Sequence, residues 1–129
     1  MVNAGDVYKK QSILTANPAE LIVLLYDGLK KNLLLATRHI ERSNPASAHE
    51  CLMKAQAIVE ELVNCLDMSI PLSEELLPLY EFMVHNMVQA NLKKDASLLP
   101  PVVDMVTELQ EAWEAIAAAN KGILSLINE

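Results

Sequence analysis

The chain has 129 residues, is 52% apolar but only 4% aromatic, and carries a formal charge of −7. A core drawn from Leu, Val, Ile, Met and Ala, with three glycines in the whole chain, favours helices packed on helices over a sheet. The acidic balance excludes nucleic acid and anionic membrane surfaces as partners, because phosphate recognition needs clustered Lys and Arg.

That charge is uneven. Residues 1–42 hold six Lys/Arg against four Asp/Glu, whereas residues 43–129 hold four against thirteen. The longest apolar run, Leu21 to Tyr26, is six residues, far below the roughly 18 that cross a bilayer. The first dozen residues lack the basic-then-apolar order of a secretory signal. Cys51 and Cys65 fall 14 apart on one predicted helix, roughly 21 Å at 1.5 Å per residue. A disulfide needs Cα atoms within about 7 Å, so reduced thiols and a cytoplasmic location are expected.

The predicted elements follow in chain order. Asn17-Pro18-Ala19-Glu20 places an N-cap, a proline at the first helical position and a carboxylate at the third. Ile22, Leu25, Leu29, Leu33, Ala36 and Ile40 recur at helical spacing as the core stripe of helix 1, and Ser43-Asn44-Pro45 ends that helix and starts the next. Helix 2 is expected from about Pro45 to Leu66, burying Ala48, Leu52, Ala55, Val59, Leu62 and Leu66. Helix 3 is expected to begin between Ser73 and Pro78 and end near Lys94. Pro78 lacks an N–H, so the helix either starts near Glu75 or bends at Pro78. Its core stripe is Leu76, Leu79, Tyr80, Met83, Met87 and Ala90.

Helix 4 is expected from Pro100-Pro101, where missing N–H groups cost nothing. It turns Val102, Val106, Leu109, Trp113 and Ile116 inward and Asp104, Glu108 and Glu111 outward, with Gly122 as its break. Short loops between such helices imply antiparallel neighbours. The expected fold is all-α, an up-down four-helix bundle in a single domain over 1–129: an N-terminal segment 1–16, a bundle 17–118 and a tail 119–129.

Apolar residues remain after each core stripe is assigned. Cys51, Ile58 and Cys65 repeat every seven residues on the flank of helix 2; Leu77, Val84 and Val88 flank helix 3; Leu24, Leu34 and Leu35 leave the main face of helix 1. One reading widens the core, since bundle helices often bury more than a narrow stripe. The other makes the flanks of helices 2 and 3 into grooves for an amphipathic partner helix.

Catalytic chemistry has no foothold in the sequence. No Glu-x-x-His pair marks a di-iron bundle, and His39, His49 and His85 are scattered on predicted polar faces or their edges, away from zinc-ligand spacing. Gly5, Gly28 and Gly122 stand alone, so there is no phosphate loop. Glu60-Glu61 and Glu74-Glu75 point about 100° apart on a helix. No nucleophile has a base beside it, and neither an enzyme nor a cofactor is expected.

Certain short stretches, in their order and spacing, resemble one family over nearly the whole chain. They are Tyr8, Thr15-Ala16-Asn17-Pro18-Ala19-Glu20-Leu21, Leu25-Tyr26-Asp27-Gly28, Lys54-Ala55, Glu61-Leu62, Leu66-Asp67, Leu79-Tyr80, Ala90-Asn91, Asp95 and Glu111-Ala112-Trp113. They resemble the FliS family of flagellar secretion chaperones, with Thr15, Ala16, Pro18, Glu20, Tyr26, Asp27 and Gly28 in its most recognisable motif. The chain departs from the family at Leu76-Leu77-Pro78, where Asn-Leu is usual, and at Gln110, where Arg is frequent.

The resemblance implies a cytoplasmic export chaperone without a cofactor. Its client is the C-terminal segment of flagellin, which is disordered as a monomer and wraps the bundle, and the contact blocks premature polymerisation. Export-gate components are a further class of contact, with the chaperone a monomer or weak homodimer. Cys51, Ile58, Cys65, Leu77, Val84 and Val88 are then the expected partner-binding residues. Also by resemblance, the segment with Val7, Tyr8, Ile13 and Leu14 lies as a lid over a client groove, with Tyr26 and Asp27 as tethers; the alternative is a frayed terminus with incidental apolar residues, and Tyr26 packed at the edge of the core stripe. Finally, Ile123-Leu124-Ser125-Leu126-Ile127 looks like the closing residues of flagellins, which suggests a tail that fills the groove in cis or in a second copy.

Overall fold

A computed structural model describes residues 18–127, with side chains through residue 122. Four helices account for nearly all of it: α1 Pro18–Glu41, α2 Pro45–Asn64, α3 Pro71–Lys93 and α4 Pro100–Ile127, with a 3-10 turn Ala96–Leu98 before α4. Each helix begins on a proline. Its ring fixes φ near the helical value, and its missing N–H is one that a first turn leaves unbonded anyway. The N-cap expected at Asn17 lies outside the described residues.

The helix ends are as specific as the starts. Asn44 N donates to His39 O at 2.8 Å and Ser43 N to Ile40 O at 3.1 Å, while Ser43 takes φ 58°. This is a Schellman closure with serine in the left-handed position where glycine is usual. Helix α3 ends the same way on Lys94 at φ 49°, with Asp95 N bonded to Ala90 O at 3.1 Å. Both later connections then carry an Asp-x-Ser turn. Asp67 Oδ1 accepts from Ser69 N at 3.0 Å and Ser69 Oγ at 2.6 Å, and Asp95 Oδ1 does so from Ser97 at the same distances. These bonds favour the ionised form and hold both carboxyls below their usual range.

The close backbone approaches are α1 with α2, α1 with α4, and α2 with α3. Neighbours run antiparallel. Asp27 and Glu20 of α1 meet Gln110 and Lys121 of α4 in reverse order, and His49 near the start of α2 meets Asn91 near the end of α3 at 2.9 Å. This is the expected four-helix bundle. Its core is Leu29, Leu33, Leu52, Val59, Leu62, Met83, Met87, Val102 and Val106 around Tyr26 and Tyr80, all essentially inaccessible. Each full burial contributes about 1.5–3 kcal/mol relative to exposure. Leu99, also fully buried, closes one end, where Asn86 Nδ2 donates to Leu98 O at 3.1 Å.

Several boundaries differ from expectation. Helix α3 starts at Pro71, two residues ahead of Ser73, and holds Pro78 inside. Ser73 and Leu76 ahead of Pro78 are buried, and their packing offsets the hydrogen bond lost at Pro78, an exposed residue. Helix α2 stops at Asn64, so Leu66 is half-buried beyond it. Gly122 does not end α4, which continues to Ile127. A single helical glycine costs about 1 kcal/mol, and Lys121 beside it is tied to Glu20 at 2.9 Å. Ile116 is 41% exposed, not inward, because the α3 backbone stays away from that side of α4. His39 is half-buried with an inaccessible Nδ1, so it does not sit on a solvated face; His49 and His85 are exposed.

Candidate partner-binding surfaces

Three consecutive residues of α1 join it to the three other helices. The Tyr26 hydroxyl is hydrogen-bonded to that of Tyr80 on α3 at 2.7 Å, fully buried. Burial, the largest cause, pushes both phenols above their usual pKa. Asp27 accepts a hydrogen bond from Gln110 Nε2 of α4. Gly28 faces α2: a Cβ there would lie 3.2 Å from Ile58 Cδ1. The Leu-Tyr-Asp-Gly stretch is therefore a fold-assembling element. Ala19 in the same motif is buried, and Glu20 pairs with Lys121. Gln110 supplies a neutral donor to Asp27 where the resembling family often has arginine.

The expected contact residues fall on two sides of α2. The Gly28–Ile58 approach puts the Cys51, Ile58, Cys65 stripe toward α1. Cys51 and Ile58 are half-buried against the core and Cys65 is exposed. Burial and then the charge of Glu61 raise the Cys65 thiol pKa. Leu77, Val84 and Val88 share the side of α3 that carries Asn91, which bonds His49 of α2. All three are half-buried, and Met53 and Leu92, at 75% exposure, stand at their outer edge. The two stripes thus belong to two seams. The expected lid residues Val7, Tyr8, Ile13 and Leu14, with Thr15 and Ala16, lie outside the described residues, as do the side chains of Ile123 to Ile127.

A further apolar seam was not singled out in the sequence. Leu72, Leu79 and Phe82 precede Asn86 at helical spacing on the side of α3 turned toward the start of α4. Met105, Leu109, Ala112 and Ile116 form the matching stripe of α4. Because the two backbones do not close up, Leu72, Phe82 and Ile116 are left 45%, 40% and 41% exposed. The 7-and-3 spacing of Leu72, Leu79 and Phe82 was available in the sequence. What the sequence lacks is the information that α3 has one close neighbour, not two.

Among the described residues no group of His, Cys, Asp or Glu side chains converges as a metal site, and no helix is long and apolar enough to cross a membrane. The surface offers apolar seams edged by acids.

A family profile described as flagellar protein FliS matches residues 1–120. The chain is 38% identical over 120 residues to the flagellar secretion chaperone FliS of Bacillus subtilis, covering 92% of this chain and 90% of that one. It is 29% identical over 116 residues to the protein of that name from Salmonella typhimurium, covering 88% and 86%. To the flagellar secretion chaperone FliSB of Pseudomonas aeruginosa it is 34% identical over 104 residues, covering 79% and 82%. The chain belongs to the FliS family of flagellar proteins.

Proposed function

We propose that the protein is a cytoplasmic flagellin export chaperone that binds the disordered C-terminal segment of flagellin along the apolar flanks of α3 and the adjoining α1–α2 seam. The single observation that carries this reading is the position of α3. Among the helices only α2 approaches its backbone closely, yet it bears apolar stripes on both sides of its core face: Leu77, Val84 and Val88 on one, Leu72, Leu79 and Phe82 on the other. A client helix laid beside α3 supplies the missing neighbour.

Cys51, Ile58 and Cys65 extend the contact along the second seam. Acids edge the surface at Glu60 and Glu81, both exposed. Ordering an unfolded client costs a few kcal/mol, which burial of about 1,000–3,000 Å² at about 25 cal/mol/Å² exceeds in gross terms. The chaperone performs no catalysis. Val7, Tyr8, Ile13 and Leu14 act as a lid that the client displaces. The free protein is a monomer or weak homodimer, and the loaded one is presented to the export gate.

Calorimetry with a flagellin C-terminal peptide tests the reading. Binding with a negative heat-capacity change, the mark of apolar burial, is expected. Absence of binding at high micromolar peptide rejects it, and unchanged affinity in Phe82→Ser and Val88→Ser variants rejects the assignment to α3. Removing residues 1–16 is expected to raise the association rate; an unchanged rate rejects the lid.

A further inference from the structure

The α3 flanks leave another surface unused, the outer face of α1. Asp27, Lys30, Lys31, Leu34, Leu35 and Arg38 of α1 line a shallow depression of about 410 Å³. Lys31, Leu34 and Arg38 succeed one another at spacings of three and four, so they form one stripe. Leu34 is 44% exposed, and Leu24, on the same outer face toward the helix start, is 56% exposed. Neither Lys30, Lys31 nor Arg38 makes an ion pair among the described residues, where Lys121–Glu20 is the recorded pair.

This is a basic patch on an acidic protein. A chain at −7 overall collects three cations and two leucines on one broad face of α1, where the one acid, Asp27, is hydrogen-bonded to Gln110. Cations alone would suit a phosphate backbone, to which the exposed leucines between them contribute nothing. An amphipathic helix offers both: an apolar stripe for Leu34 and Leu35 and flanking carboxylates for Lys30, Lys31 and Arg38. The chain's own first 17 residues do not complement the patch, because they carry Lys9 and Lys10 against Asp6.

We propose that the outer face of α1 is a second docking surface, for an acidic amphipathic helix of a partner protein, occupied independently of the client on α3. Charge complementarity selects the partner and speeds its encounter, and the leucines hold it.

The test titrates the full chain with a synthetic helix of Leu, Glu and Ala, followed by fluorescence anisotropy, with the same helix bearing Lys in place of Glu as a control. The Glu helix is expected to bind. Affinity should fall at least about tenfold in a Lys31→Glu/Arg38→Glu variant and in Leu34→Ser, and several-fold as salt rises from about 0.05 M to about 0.5 M. Both variants change exposed side chains and should keep the circular dichroism and the flagellin-peptide affinity of the parent. No binding, equal binding of the Lys helix, or equal affinity in the variants overturns the proposal. So does displacement of the Glu helix by flagellin peptide, or tighter binding of a single-stranded oligonucleotide at the same residues.

Discussion

The Tyr26 and Tyr80 hydroxyls, 54 residues apart in sequence, sit 2.7 Å apart in the interior of the bundle. Each is the other's polar partner where no water reaches, so removing one hydroxyl strands its mate. Tyr26→Phe or Tyr80→Phe is expected to cost about 1–3 kcal/mol, and the double variant less than the sum. Urea unfolding of the four proteins measures the coupling; strict additivity would deny that the pair acts as a unit.

The same pair sets an alkaline limit on stability. Burial raises both phenols above the ordinary value of 10.0. Below about pH 10 the folded and unfolded states hold the same phenolic protons and the contribution is fully present. Above it the unfolded chain ionises while the folded one resists, so the unfolded state binds fewer protons and stability falls. For Tyr26, the more strongly raised of the two, the loss approaches about 1.4 kcal/mol per pH unit, and Tyr80 adds to it in the same direction. Melting temperatures from about pH 9 to about pH 11.5 should drop more steeply in the parent than in the double phenylalanine variant.

How much of this was legible in the sequence follows from what each feature depends on. The prolines at 18, 45, 71 and 100 and the 3.6-residue stripes are local signals, and the four helices follow them closely. Gly28 and Gln110 are different. Their roles rest on contacts with Ile58 and Asp27 across helix pairs, and no single helix encodes a pairing. Ile116 illustrates the limit: its spacing continues the core stripe of α4, but whether that stripe is covered depends on how near α3 comes. The candidate contact surface is half legible for the same reason. Periodicity exposes a surplus of apolar residues, and only the arrangement of helices decides which seam each one edges.

Backbone strain gives a stability prediction independent of the core. Ser43 holds φ 58° in a Schellman closure and is exposed. Glycine adopts that conformation without the steric cost of a Cβ, about 1 kcal/mol. Ser43→Gly should therefore raise stability by about 0.5–1 kcal/mol after its larger unfolded-state entropy is counted. Pro78→Ala, at another exposed position, restores a helical N–H and should stabilise by about 1–3 kcal/mol. Thermal unfolding of both variants measures these gains; a loss in either would show that the native turn or bend is required.

Cys65 supplies a native reporter of the α1–α2 seam. Its thiol is held above the usual value of 9.0 by burial and by Glu61, and the thiolate is the reactive species. Alkylation of a Cys51→Ser variant should be slower at neutral pH than that of an unstructured thiol and should keep accelerating past about pH 9. Saturating flagellin peptide is expected to slow it further. Unaltered reactivity in the complex would confine the client to α3.

The helix α3 flank gives the sharpest separation of fold from function. Phe82 is 40% exposed and lies on the side of α3 turned toward α4, where the two backbones make few close approaches. Its truncation removes little core contact, so Phe82→Ser should cost below about 1.5 kcal/mol of stability. If a client helix covers that seam, the aromatic becomes a central contact, and its loss should weaken peptide binding about tenfold or more. Leu34→Ser on α1, an equally exposed apolar truncation, should leave peptide affinity unchanged. Calorimetry on these two variants distinguishes a client held by α3 from one held by any exposed leucine or phenylalanine. Equal weakening by both would mean the client recognises apolar surface in general, with no preference for the α3 flank.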